Sequence, residues 1–120
     1  MNNLEQFVQK MINETQAGKI DWISDDDSEI KKSIINSNEI YRVYRAPSNT
    51  GNVYFIMQKM PDYSIDFNVQ YEANIMFILI ESKTNKSEIT TSDVAKNLIS
   101  NLYYAINDYI NKKIISEIEF

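Results

Sequence analysis

The sequence predicts an α+β fold: a single antiparallel sheet of about five strands, with helices at the N and C termini packed on one face. Three observations carry that prediction. Apolar residues near both ends recur every three or four positions, the period of an amphipathic helix. Residues 40–80 are instead rich in β-branched and aromatic side chains, with stretches that alternate apolar and polar. At 120 residues the chain can build one hydrophobic core, whereas half of it would fall near the size that needs metals or disulfides. Residues 1–120 are therefore expected to form one domain.

The first helix is set by Leu4, Phe7, Val8, Met11 and Ile12, which fall at i, i+3, i+4, i+7 and i+8. Gln6, Gln9, Lys10, Asn13 and Glu14 fill the opposite side, Asn3 is placed to cap the start, and Gly18 to end the helix. Residues 19–24 follow as a short strand, because Ile20 and Trp22 alternate with charged neighbours. Residues 25–29 hold four acids and read as a loop. Residues 28–38 leave two readings open, a short helix capped by Ser28 or an extended Ile-rich segment.

A strand is expected over 40–46, a turn over 47–52 and a hairpin partner over 53–60, with Pro61 and Asp62 reversing the chain. Residues 63–72 alternate without a break: Tyr63, Ile65, Phe67, Val69 and Tyr71 on one side, Ser64, Asp66, Asn68, Gln70 and Glu72 on the other. After Ala73 and Asn74, residues 75–80 are apolar throughout, as in a strand covered from two sides. Residues 82–87 read as a polar loop. A long helix is expected from about Ser92 to Asn111 or beyond, with Ala95, Leu98, Ile99, Leu102, Ile106, Tyr109 and Ile110 facing the core. Ile114, Ile115 and Ile118 then read as docked rather than frayed. No internal repeat or heptad run stands out.

Composition excludes more than it asserts. Cysteine is absent, which removes disulfides, thiolate metal sites and cysteine nucleophiles. Histidine is absent too, which removes the usual general base near neutral pH and any Ser-His-Asp arrangement. No enzymatic activity, cofactor or metal is expected. Seventeen acids against twelve bases leave a net charge of −5, the wrong sign for direct binding to a nucleic-acid backbone. The N-terminal residues lack a signal peptide's basic and apolar regions, and no apolar run approaches the ~20 residues of a membrane span, so a cytoplasmic protein without membrane contact is expected.

The acidic run Asp25, Asp26, Asp27 and Glu29 does not fit an EF-hand loop, since counting from Asp25 puts Ile30 at the sixth position and Asn36 at the twelfth. Asn49-Thr50-Gly51-Asn52 has one glycine and no following lysine, so it reads as a turn and not a phosphate cradle. The eight tyrosines are more suggestive, because tyrosine pairs a large apolar body with a polar tip. The 40–46 and 53–60 pair carries large residues on both faces, while two helices cover only one. Tyr41, Tyr44, Tyr54, Ile56 and Met60 are thus candidates for a contact surface, joined by Tyr104 on the polar side of the last helix.

The expected partner is another protein or a second copy of the chain. One alternative is an acidic inhibitor that presents Asp25, Asp26, Asp27 and Glu29 to a basic nucleic-acid groove, as anti-restriction and anti-CRISPR proteins do. Another is a small-ligand pocket between sheet and helices, lined by Trp22 and tyrosines.

The leading amphipathic helix, Gly18-Lys19-Ile20-Asp21-Trp22, the meander and the closing helix with Asn97-Leu98-Ile99-Ser100-Asn101-Leu102-Tyr103 resemble small uncharacterised α+β proteins of bacterial genomes, prophages and mobile elements. That resemblance implies an α+β fold and an accessory role encoded by a phage or mobile element. It transfers no catalytic residue.

Overall fold

The computed structural model describes residues 2–25, 40–49, 51–62, 70–82, 86–90 and 93–118. The expected 28–38 segment lies outside the described residues, as do Asp26, Asp27, Glu29 and residues 63–69 of the alternating stretch.

Helix α1 spans Asn3–Gln16. Its cap is Asn2 rather than Asn3, because only that choice puts Glu5 at the third helical position. The Asn2 side chain accepts the Glu5 N–H at 2.8 Å, and the Glu5 carboxylate accepts the Asn2 N–H at 3.2 Å, a reciprocal capping box. The helix ends at Ala17, and Gly18 turns the chain away at φ 73°, a left-handed conformation that a side chain would strain. The Trp22 indole then folds back to donate to Thr15 Oγ1 at 2.9 Å, leaving both residues buried. This pins the chain to α1 and shortens the expected 19–24 strand to β1, Ile23–Ser24.

The remaining strands are β2 (Ile40–Ser48), β3 (Gly51–Asp62), β4 (Gln70–Ser82) and β5 (Lys86–Thr90). All neighbours pair antiparallel and lie in chain order. Since β1 is only two residues long, the sheet proper has four strands, slightly fewer than expected. β2 and β3 close with Ser48 opposite Gly51, a tighter connection than the 47–52 turn.

Pro61 does not reverse the chain but sits inside β3 opposite Tyr71. The β2 pairing stops at Gln58, so among the described residues no ladder on that side needs the missing N–H of Pro61. β4 continues through Ala73 and Asn74, where its register with β3 shifts between Gln58 and Met60, and β5 occupies part of the expected 82–87 loop. Lys86, Glu88 and Thr90 make β5 polar, as suits an edge strand held by backbone pairing.

Helix α2 spans Lys96–Glu117, starting later than Ser92. Ala95 caps it without a side-chain bond; its own N–H is taken at 3.3 Å by the Glu5 carboxylate of α1. Tyr44, Phe55 and Ile78, opposite one another across β2, β3 and β4, turn the sheet's buried side toward both helices. Val8, Met11 and Ile12 from α1 meet them with Leu98, Ile99, Leu102, Ala105 and Ile106 from α2, and Trp22 fills the end of the layer. α1 and α2 thus lie at the two termini on one side of an antiparallel sheet. No helix among the described residues is long and apolar enough to cross a membrane.

The expected docking of Ile114, Ile115 and Ile118 does not occur: they are 53%, 67% and 50% exposed. Twenty-two helical residues extend ~33 Å against ~21 Å for the fourteen of α1, so α2 outreaches its neighbour.

Candidate functional site

Of the candidate contact residues, Tyr104 alone is described as exposed, at 66%. Tyr44 and Ile56 are fully buried, and Tyr54 is nearly so. Tyr44 faces the helices and belongs to the core. Ile56 lies opposite Val43 on the other side of the sheet, and both are at 0% exposure, so this side is covered there too. The open sheet face expected from the residue pattern is therefore corrected: two helices do leave one face, but at Val43 and Ile56 it is not bare. Tyr41 and Met60 have their backbones in β2 and β3, and their side chains lie outside the described residues.

Of the acidic patch, Asp25 alone lies among the described residues. The Asp25 carboxylate accepts from Arg45 Nε at 3.0 Å, and the Asp25 backbone N–H donates to the Val43 carbonyl at 2.8 Å. Asp25 is thus spent on the edge of the sheet. Beside it, burial pushes the Tyr54 hydroxyl's pKa up, helped by the negative charge of Glu81 and Asp25 and opposed by Arg45.

Trp22 is wholly buried. A crevice of about 190 Å³ does open beside it, lined by Phe7, Met11, Ile20, Ala46 and Val53, with Lys10 and Glu14 at its mouth. No tyrosine lines it, contrary to the pocket expected from the sequence.

Tyr104 is held from behind. Rings run from the core to the surface in sequence: Tyr44 to Phe55 at 6.3 Å, Phe55 to Tyr103 at 6.1 Å, and Tyr103 to Tyr104 at 5.5 Å. Such spacings are those of interacting aromatic pairs, and each ring limits the freedom of the next. Beside Tyr104 an open groove of about 370 Å³ runs along the seam of α1 and α2. Ile12 and Ala105 form its floor, and Gln9, Gln16, Asn101 and Asp108 its walls.

Asp108 is bridged to Lys112 at 2.9 Å, one turn along the same helix. Nearby, the Asp21 carboxylate accepts from Tyr109 Oη at 2.7 Å and from Lys113 Nζ at 2.9 Å. The bond to Lys113, then that to Tyr109, holds the Asp21 pKa below its ordinary value, while the bond to Asp21 raises those of Tyr109 and Lys113. Asp21 is exposed and Tyr109 and Lys113 are half-buried, and together they tie α2 to the segment before β1. Among the described residues no three metal-ligating side chains cluster.

Apolar periodicity alone does not distinguish the overhanging Ile114, Ile115 and Ile118 from buried residues. A usable signal existed: Ile115 and Ile118 continue the spacing of Tyr104, on the side of the helix away from Leu102 and Ile106. Comparison with protein-family models, with curated proteins and with solved structures finds no match.

Proposed function

We propose that the chain is a non-catalytic protein-binding module whose contact surface is the outward side of α2, anchored on Tyr104. The carrying observation is the combination of 66% exposure with a ring packed at 5.5 Å against Tyr103, and through it against the core. A large side chain whose conformation is already restricted loses little entropy on docking, which is why rigid aromatic residues serve as interface anchors. Ile114, Ile115 and Ile118 extend the apolar surface along the same helix. The absence of histidine and cysteine supports binding over catalysis. The same face now carries the role that the sequence pattern assigned to the sheet.

Affinity capture from cells that naturally make the chain, followed by calorimetric titration of the captured protein, tests this reading. Tyr104→Ala should weaken binding roughly 30-fold or more, as loss of a hot-spot side chain does. Binding should change little with salt, because apolar docking is not screened. An affinity that collapses with ionic strength and depends on Asp26 and Asp27, with Tyr104→Ala silent, would replace this reading by the acidic-inhibitor one.

A further inference from the structure

Tyr104, Asp108, Asn111, Ile115 and Ile118 are separated by four, three, four and three residues, the spacing that lines residues up as one seam along a helix face. All five point away from the core side of α2, and Tyr104, Ile115 and Ile118 are half or more exposed. Laid antiparallel against an identical seam, Tyr104 meets Ile115, Asp108 meets Asn111, and Asn101 meets Ile118. A parallel arrangement would set each residue against itself, with Asp108 against Asp108. Charge selects the antiparallel one, in which the Asp108 carboxylate faces an amide donor.

We infer that the partner of this face is a second copy of the chain, docked α2 against α2 about a twofold axis. Ile115 and Ile118 of each copy then enter the groove beside Tyr104 of the other. This rests on the reading of α2's outward side as the contact surface.

Three features favour a second copy. The floor of the groove, Ile12 and Ala105, is apolar where an isoleucine would arrive, and its Asn101 wall lies where the register puts Ile118. Although the chain carries a net −5, Asp108 is paired with Lys112 and Asp21 with Lys113, so only Glu117 is left unbalanced here and two acidic copies approach with little repulsion along this stretch. The exposed parts of Tyr104, Ile114, Ile115 and Ile118 amount to on the order of 450 Å² of apolar surface per copy. Doubled by symmetry and widened by the polar neighbours, that reaches the low end of specific interfaces, ~1,200 Å² in total, which suits a reversible dimer.

Sedimentation equilibrium over a wide concentration range, paired with disulfide trapping, provides the test. The full chain should pass from monomer to twice that mass. Ile115→Lys should raise the dissociation constant at least tenfold, with an unchanged circular dichroism spectrum because residue 115 is exposed. The chain has no native cysteine, so Asp108→Cys and Asn111→Cys chains can be mixed and oxidised. The mixed disulfide should predominate. Predominance of either self-pair would overturn the antiparallel register. A chain that stays monomeric at millimolar concentration would overturn the second copy as partner. It would do so whether that chain binds a different protein through Tyr104, which spares the contact surface, or phosphatidylcholine vesicles through Ile115. A dimer indifferent to Tyr104→Ala and Ile115→Lys would overturn both the inference and the contact surface.

Discussion

The two helices solve the same problem by different means. α1 carries its own punctuation: the Asn2 and Glu5 capping box begins it, and Ala17 with left-handed Gly18 ends it just past its last buried residue, Thr15. α2 has neither device. Its cap, Ala95, makes no side-chain bond and depends on Glu5 of α1, and its end at Ile118 has no glycine. Helix formation is costly to start and cheap to extend, so a helix nucleated by packing on a core continues until something stops it. Nothing local stops α2, and it runs on beyond the core with three isoleucines exposed. α1 is built for stability, whereas Ile114, Ile115 and Ile118 in the last turns of α2 are exposed, and the tie these turns make to the rest of the fold is Lys113 to Asp21. That contrast is the physical ground for assigning contact to α2.

The strongest way to break the contrast is at the core. Trp22→Ala removes a fully buried ring and leaves Thr15 without its donor, and should cost about 3–5 kcal/mol in urea unfolding. Ile115→Ala, on the overhang, should stay within about 0.5 kcal/mol of the parent. A large loss at Ile115 in a monomer would mean that the overhang is part of the core after all. The caps sharpen the comparison at a smaller scale. Asn2→Ala should cost about 1 kcal/mol, while Ala95→Ser supplies α2 with a missing side-chain acceptor and should gain a similar amount, both read from urea midpoints.

The smallest effect lies at Asp21. Its pKa is depressed in the folded state by Lys113 and Tyr109, so its contribution is present above the ordinary carboxylate value of about 3.9 and is lost as pH falls through the lowered folded value. The urea midpoint of the parent should therefore fall more steeply below pH 4 than that of Asp21→Asn. Equal slopes would show that the tie is not formed in solution.

Much of the helical structure was readable from neighbours in sequence. The stripe of Val8, Met11 and Ile12 and that of Leu98, Leu102 and Ile106 both emerge on the buried side, because a helix's bonds and side-chain neighbours are all within four residues. Strand pairing is less local. β5 was invisible because Lys86–Thr90 has no apolar face of its own and is held by backbone groups of β4. Pro61 misled for a related reason: a proline ends a strand only when its N–H is needed, and that depends on where the neighbouring strand stops.

The candidate site divides the same way. Tyr104 was legible as an outward residue from its helical phase alone. Tyr44, Tyr54 and Ile56 were not legible as buried, since alternation says which residues share a face and not what lies over it.

Local pattern thus sufficed for an α+β chain with terminal helices, and composition for its acidity and its lack of thiol and imidazole groups. Only the assembled molecule decided that Tyr44 and Tyr54 are enclosed, that Asp25 is held by Arg45, and that the end of α2 overhangs. Periodicity is encoded within a few residues, whereas exposure is set by neighbours distant in the chain.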